Sequence, residues 1–204
     1  YEKLARVIRY LRETISLPLV LGWDGSGNLI WSVDASFAIH KDMKSHTGAV
    51  LSLGQGAALS FSSKQKINTK SSTEAELVGV DDAMNFVIWV KLFCEAQTAK
   101  VPSTSNIKLL GSRVVIKQDN TSTIQLARNG KRSSTKRTRH IAIRYFYVTS
   151  KVKDGSVVIT YCPTKEMVSD YLTKPLQGSL FRTHRNGTLG ISSDDVIRYK
   201  MDYE

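Results

Sequence analysis

The sequence predicts an α/β protein: a mixed five-stranded sheet, three antiparallel strands followed by parallel ones, flanked by helices. Three observations carry this. Short β-prone runs separated by glycine-rich turns fill residues 20–63. A long amphipathic stretch follows at about 72–96, and two further β-prone runs then alternate with helical patterns. The resulting order, β-β-β-α-β-α-α-β-α, is that of a single sheet with helices packed on it.

Residues 1–17, YEKLARVIRYLRETISL, place Leu4, Val7, Ile8 and Leu11 at helical spacing until Pro18 ends the pattern. WDGSGN then punctuates two β-prone stretches, and AVLSLG (49–54) and AALSFSS (57–63) flank a Gly-Gln-Gly turn, together a meander of three strands. VVIKQD (114–119) reads as a buried strand and NTSTIQLARN (120–129) as a capped helix. IAIRYFYVTSKV (141–152) reads as a helix, SVVITYC (156–162) as a strand and KEMVSDYLTKPL (165–176) as a final helix stopped at Pro175. Residues 184–204 read as a separate tail without an assigned role.

The chain has 29 Lys and Arg against 18 Asp and Glu, a net charge of +11, with a pI near 9.7. Such a surface favours a polyanion, nucleic acid above all; the plain alternative is a solvated basic surface. Cys94 and Cys162 lie far apart, with no histidine spaced as a metal partner. Zinc sites and disulfide scaffolds are therefore not expected, and a reducing compartment is. The densest apolar run, NFVIWV (85–90), is too short to span a membrane. With no signal peptide and no initiator methionine, the chain is expected to be a piece of a longer one.

SSTEAELVGV (71–80) places Glu74 and Glu76 two residues apart on a helix, hence on nearly opposite faces, so that one can face the protein while the other faces water. At about 100° per residue, Glu76 falls within the apolar arc of Leu77, Val80, Ala83, Met84, Val87, Ile88 and Val90. Glu74 falls on the other side with Asp81, Asp82 and Asn85, and completes an S-x-x-E capping box with Ser71. A carboxylate turned inward needs a partner, a proton or a metal. Three aspartates stand on other elements. Asp34 interrupts SVDASF among small residues, Asp119 ends VVIKQD, and Asp170 lies in MVSDYLTK. Each also has a purely structural reading: a strand-end turn for Asp34, a helix cap for Asp119 and an exposed helix face for Asp170. Gathered on one sheet, however, four acids without basic partners would repel one another unless cations sat among them. An all-oxygen donor set completed by substrate phosphates is the pattern of Mg²⁺, and two such ions about 4 Å apart serve phosphoryl transfer.

DASF and KSHTG, SSKQ and SSTEAEL, KQDN, RTRHIAIRYFYV and MVSDYLTKPL, in this order, resemble the ribonuclease H domain of copia-type LTR-retrotransposon polyproteins. The likeness runs from about residue 1 to 183. It implies an RNase H-like fold over 20–183 and a first segment, 1–19, similar to the tail of the preceding reverse-transcriptase connection. It also implies hydrolysis of the RNA strand of RNA/DNA hybrids with two Mg²⁺ ions, for which Mn²⁺ substitutes, leaving 5′-phosphate and 3′-hydroxyl ends. Asp34 would bridge both ions, Glu76 and Asp119 would hold the one near the leaving group, and Asp170 the one that activates water. The implied partners are the hybrid and the adjoining reverse-transcriptase domain, with no membrane. The implied location is the cytoplasm, in a virus-like particle, or the nucleus.

Ser36, Ser72, Thr73 and Asn120, beside the acids, are candidates for reading 2′-hydroxyls. His140 is a candidate for the histidine that assists ribonucleases H, although it lies far ahead of Asp170 here and equally suits a helix start. The basic stretch of Lys131, Arg132, Lys136, Arg137 and Arg139 is a candidate phosphate grip, extended by Lys64, Lys66 and Lys70, against the alternative of a solvated loop. Two rival functions remain: a non-catalytic nucleic-acid-binding or scaffolding module of the same fold, and a DNA-cutting enzyme such as an integrase. The latter is the poorer match, since it places its glutamate on a late helix.

Overall fold

The structure is a computed structural model, and it describes residues 1–100, 111, 113–130 and 142–201. Helix α1 (Glu2–Glu13) comes first, followed by strands β1 (Gly22–Trp23), β2 (Asn28–Ser36), β3 (His46–Ser52), β4 (Gly54–Gln55) and β5 (Leu59–Lys64). Helix α2 (Ser72–Thr98), strand β6 (Arg113–Gln118), helices α3 (Thr121–Asn129) and α4 (Ala142–Lys153) and strand β7 (Val158–Tyr161) complete the central unit. The main sheet runs β5-β3-β2-β6-β7, antiparallel across β5, β3 and β2 and parallel across β2, β6 and β7. This is the expected mixed five-stranded sheet. The short β1 and β4 pair with each other outside it.

Alternation along β2 divides its residues between two faces. Leu29, Trp31 and Val33 join Ala49, Leu51, Val114, Ile116 and Ile159 in a core closed by Leu77, Val80, Met84 and Val87 of α2. The apolar arc read from the sequence is therefore the face α2 buries. Its approach is close because Gly79 faces Ala35, where an added Cβ would lie 3.3 Å from the alanine Cβ. Ser71 caps α2, its Oγ accepting from the Glu74 N–H at 3.2 Å, while Glu74 Oε2 accepts from the Lys70 N–H at 2.7 Å. The capping box thus forms, but Glu74 does not face water: it is buried against the loop it caps. Asp81 and Asp82, on the same side, are held by Arg144 of α4 at 2.8 and 3.0 Å.

Two expectations differ from the structure. The segment 165–176 is not an α-helix but two 3₁₀ turns, Thr164–Glu166 and Val168–Leu172, separated by Met167 in an extended conformation. Met167 is fully buried, and driving it into the interior breaks the helical run. The expected boundary at 183/184 falls inside a helix, α5 (Gly178–Leu189), which α6 (Ser193–Met201) follows. The end of α5 ties back to the opening hairpins: the Val20 N–H donates to Leu189 O and the Ala57 N–H to Thr188 O, each at 2.8 Å. Residues 184–190 are thus joined to the body of the domain.

Replacing Ser71 with alanine removes the cap of the helix that carries Glu76. Urea denaturation is expected to show a loss of about 1 kcal/mol, whereas Ser72→Ala, at the next and exposed position, should stay within about 0.5 kcal/mol of wild type. Equal effects would show that the cap contributes nothing.

Candidate active site

Parallel pairing between β2 and β6 stops at Ser32 and Lys117. Asp34 stands two residues beyond this last pair on β2, and Asp119 two residues beyond it after β6. The two strands that carry these acids have ceased to bond to each other there, beside the strand at which the sheet changes from antiparallel to parallel pairing. Crevices at such points are where open α/β sheets place ligands. Glu76, one turn into α2, enters the same gap. One carboxylate oxygen from each of Asp34, Glu76 and Asp119 lies within 4.8 Å of the others.

Gln118 occupies the gap. Its Nε2 donates to Val33 O at 3.3 Å, serving a carbonyl beyond the last ladder pair, and to Glu76 Oε2 at 3.2 Å. Its Oε1 accepts from the Asn120 N–H at 3.0 Å. Asn120 Oδ1 in turn accepts from the Thr123 N–H at 3.0 Å, so the cap of α3 is Asn120 and Asp119 is left for other work. Thr164 Oγ1 donates to Asp119 Oδ2 at 2.8 Å.

The fourth acid arrives on the turn Val168–Leu172. Gly48, the partner of Asp34 in the β2–β3 ladder, admits it. A Cβ at Gly48 would stand 2.8 Å from both Leu172 Cβ and Thr173 Cγ2, so only glycine lets this turn lie against β3. Asp170 is buried there. Thr173 Oγ1 donates to Asp34 Oδ2. Lys174 Nζ donates to Asp170 Oδ1 and stands 3.6 Å from Asp34 Oδ1. Asp170 therefore sits next to the three-acid cluster with an ammonium between.

Burial dominates the electrostatics. It pushes Asp34 up from the usual carboxylate range, opposed by the Thr173 hydrogen bond and the Lys174 charge. Burial, and after it the charges of Asp34 and Asp119, push Glu76 up to about 9. Burial pulls Lys174 down, but its hydrogen bond to Asp170 and the surrounding carboxylates more than compensate and raise it. Without a cation, Glu76 keeps its proton at neutral pH.

The other candidates are less tightly gathered. Ser36 is buried at the end of β2 with its hydroxyl unpartnered. Ser72 is exposed and Thr73 half-buried at the start of α2, where Thr73 O accepts from Thr123 Oγ1 at 3.2 Å. His140, Lys131, Arg132, Lys136, Arg137 and Arg139 lie outside the described residues. Gln118, Thr164, Thr173 and Lys174 were not singled out in the sequence. Gln118 carried a signal, since it takes the buried phase of Val114-x-Ile116-x-Gln118, where a polar residue needs a partner. Lys174 stands four after Asp170, but the two threonines had no pattern to mark them.

No family model matches the chain. It is 30% identical over 183 residues, 89% of its length, to the retrovirus-related Pol polyprotein from transposon TNT 1-94 of Nicotiana tabacum. It is 31% identical over 186 residues, again 89% of its length, to the retrovirus-related Pol polyprotein from transposon RE1 of Arabidopsis thaliana. It spans only 13% and 12% of those polyproteins. Among solved structures it resembles LC11-RNase H1, isolated from compost, with a TM-score of 0.50 and 13% identity, covering 72% of this chain and 92% of that one.

Two outcomes test this geometry. Between about pH 4.5, where an unfolded glutamate ionises, and about 9, Glu76 holds its proton in the folded cation-free domain but not in the unfolded chain, so its contribution to stability falls as pH rises. Thermal melts in chelator should drop from pH 6 to pH 8, and Glu76→Gln should flatten most of that fall; an unchanged slope would show that Glu76 ionises normally. Gly48→Ala should cost about 1–3 kcal/mol through overpacking and weaken Mn²⁺ binding. If both stay unchanged, the 168–172 turn is not seated on β3.

The relatives and the fold agree with the resemblance read from the sequence: the chain is a homologue of a segment of retrotransposon Pol polyproteins, folded as a ribonuclease H domain.

Proposed function

We propose that this domain is an endonuclease that hydrolyses the RNA strand of RNA/DNA hybrids with divalent cations during retrotransposon reverse transcription. The observation that carries the reading is the cluster of buried Asp34 and Glu76 with half-buried Asp119, and buried Asp170 beside it, at the crevice of a ribonuclease H fold.

These residues fit a hard cation. All the donors are oxygens, three converge, and Asp34 Oδ1 is buried without a hydrogen bond. Mg²⁺ is the natural occupant of such a set and Mn²⁺ its ready substitute. Asp34, Glu76 and Asp119 would hold one ion, and Asp34 with Asp170 a second. When bound, such ions activate water and neutralise charge developing on the phosphate. The chain supplies the aim: Gln118 orients Glu76, Thr164 orients Asp119 and Thr173 orients Asp34. Cleavage by this route leaves a 5′-phosphate and a 3′-hydroxyl.

The excess of basic residues suits the hybrid as partner. Of the candidates for contact with 2′-hydroxyls, Ser72, Thr73 and Asn120 keep exposure to solvent, whereas Ser36 is buried. The apolar stripe of α1, with Leu4, Val7, Ile8 and Leu11 exposed, suits a helix that packs on a neighbouring reverse-transcriptase domain of a polyprotein.

A labelled RNA/DNA hybrid incubated with Mg²⁺ or Mn²⁺ tests the proposal. Wild type should cut the RNA strand only. Asp34→Asn and Glu76→Gln should each lower the rate at least about a hundredfold, the scale on which groups that orient and stabilise a transition state act. Glu74→Gln should cost stability but leave cleavage largely intact. An inert wild type that still binds the hybrid would favour the non-catalytic binding module.

A further inference from the structure

We propose that Lys174 is a resident countercation. Its ammonium holds the second cation position, between Asp34 and Asp170, and must swing out before a second divalent ion can enter. The inference rests on reading the acids as a cation site.

Four observations lead to it. First, the ammonium bridges carboxylates from two distant elements, bonded to Asp170 Oδ1 and 3.6 Å from Asp34 Oδ1. Second, the two oxygens of Asp34 are treated differently. Oδ2 accepts from Thr173, whereas Oδ1 is buried without a hydrogen bond and has the ammonium 3.6 Å away. Third, among the described residues Asp170 is absent from the cluster of acids whose ligand atoms converge within 4.8 Å. The acid that would complete the second position is instead engaged by Lys174. Fourth, the main chain is fixed while the side chain is free to leave. The Lys174 N–H donates to Asp170 O at 3.0 Å and Pro175 follows, yet the lysine side chain is 38% exposed on its solvent side. A compact ammonium on a four-carbon stem can withdraw into water without moving Asp170.

The consequence is an order of loading. One divalent ion enters the cluster of Asp34, Glu76 and Asp119 directly. A second competes with a tethered cation of like charge for Asp34 Oδ1 and Asp170, so it enters weakly until something draws the lysine outward. A nearby phosphate of bound substrate has the right charge to do so. The alternative is that the lysine merely staples the 168–172 turn to β2. A staple would affect stability alone, and its removal would create no cation position.

The two are separated by titrating the cation-free domain with Mn²⁺ in the absence of nucleic acid, counting bound ions by electron paramagnetic resonance and measuring affinity by calorimetry. Wild type should bind one Mn²⁺ tightly. Lys174→Met should bind two, the second at least about tenfold more tightly than any second ion in wild type. Lys174→Arg, which keeps the charge, should behave as wild type. In chelator the methionine variant should melt below wild type, and Mn²⁺ should raise its melting temperature by more. Circular dichroism reports folding; should the methionine variant not fold, Lys174→Gln carries the same comparison. A second ion bound no better by the folded neutral variant than by wild type would overturn the proposal, as would two tight ions in wild type. One tight ion in every variant leaves the proposed nuclease standing while removing this role. No Mn²⁺ bound by wild type or variants would overturn both.

Discussion

Asp34 has to be reached from three directions at once, and that crowding shapes the domain. A carboxylate on a central strand is walled by its own neighbours, so anything that meets it must come through a gap. Three gaps are present. The pairing of β2 with β6 ends two residues short of Asp34. α2 presses close over Gly79. The turn carrying Asp170 lies on β3 where Gly48 has no side chain to hold it away. Each is a local sacrifice of ladder bonds or side-chain packing, and all three converge on one acid. Gln118 repairs the first: its amide donates to a strand carbonyl beyond the ladder and to Glu76 at the same time. Support for the sheet and support for the acids are one side chain.

How much of this was legible depended on whether the signal was periodic. The mixed sheet was read from β-prone runs and the buried face of α2 from the period of 3.6, and both emerged as read. The helical wheel separated Glu76 from Glu74 correctly in direction but not in exposure. It assumed that the face opposite the sheet meets water, whereas the loop before α2 folds over Glu74, whose carboxylate accepts from the Lys70 N–H. The segment 165–176 failed for a related reason. Its composition suits an α-helix, but tight seating on Gly48 and burial of Met167 demand the narrower 3₁₀ turns. Thr173 and Lys174 gained their roles only from that seating. A contact between residues 34 and 174 leaves no periodic trace in a single chain.

The charge distribution contains an opposition. The chain as a whole carries +11, which favours polyanions, while its crevice is lined by acids that would repel a phosphate. A bound cation reconciles the two. Without one, the crevice lowers its own charge by two means of different chemistry: burial leaves a proton on Glu76, and the lysine lends its ammonium to Asp34 and Asp170.

Those two devices protect different things. The proton on Glu76 sits deep, beside Gln118. The side chain of Lys174 is partly in solvent on a flexible stem, so its departure exposes two buried carboxylates at once and is tolerable only when another positive charge takes its place. A domain built this way can remain folded with its acids close together while idle. On the proposed reading, it would assemble the full charge of the crevice only when cations and substrate are both at hand. Holding four acids near one another is costly in any fold. Here the proton and the lysine offset that cost in the resting domain, and both are removable by the ligands that the crevice would serve.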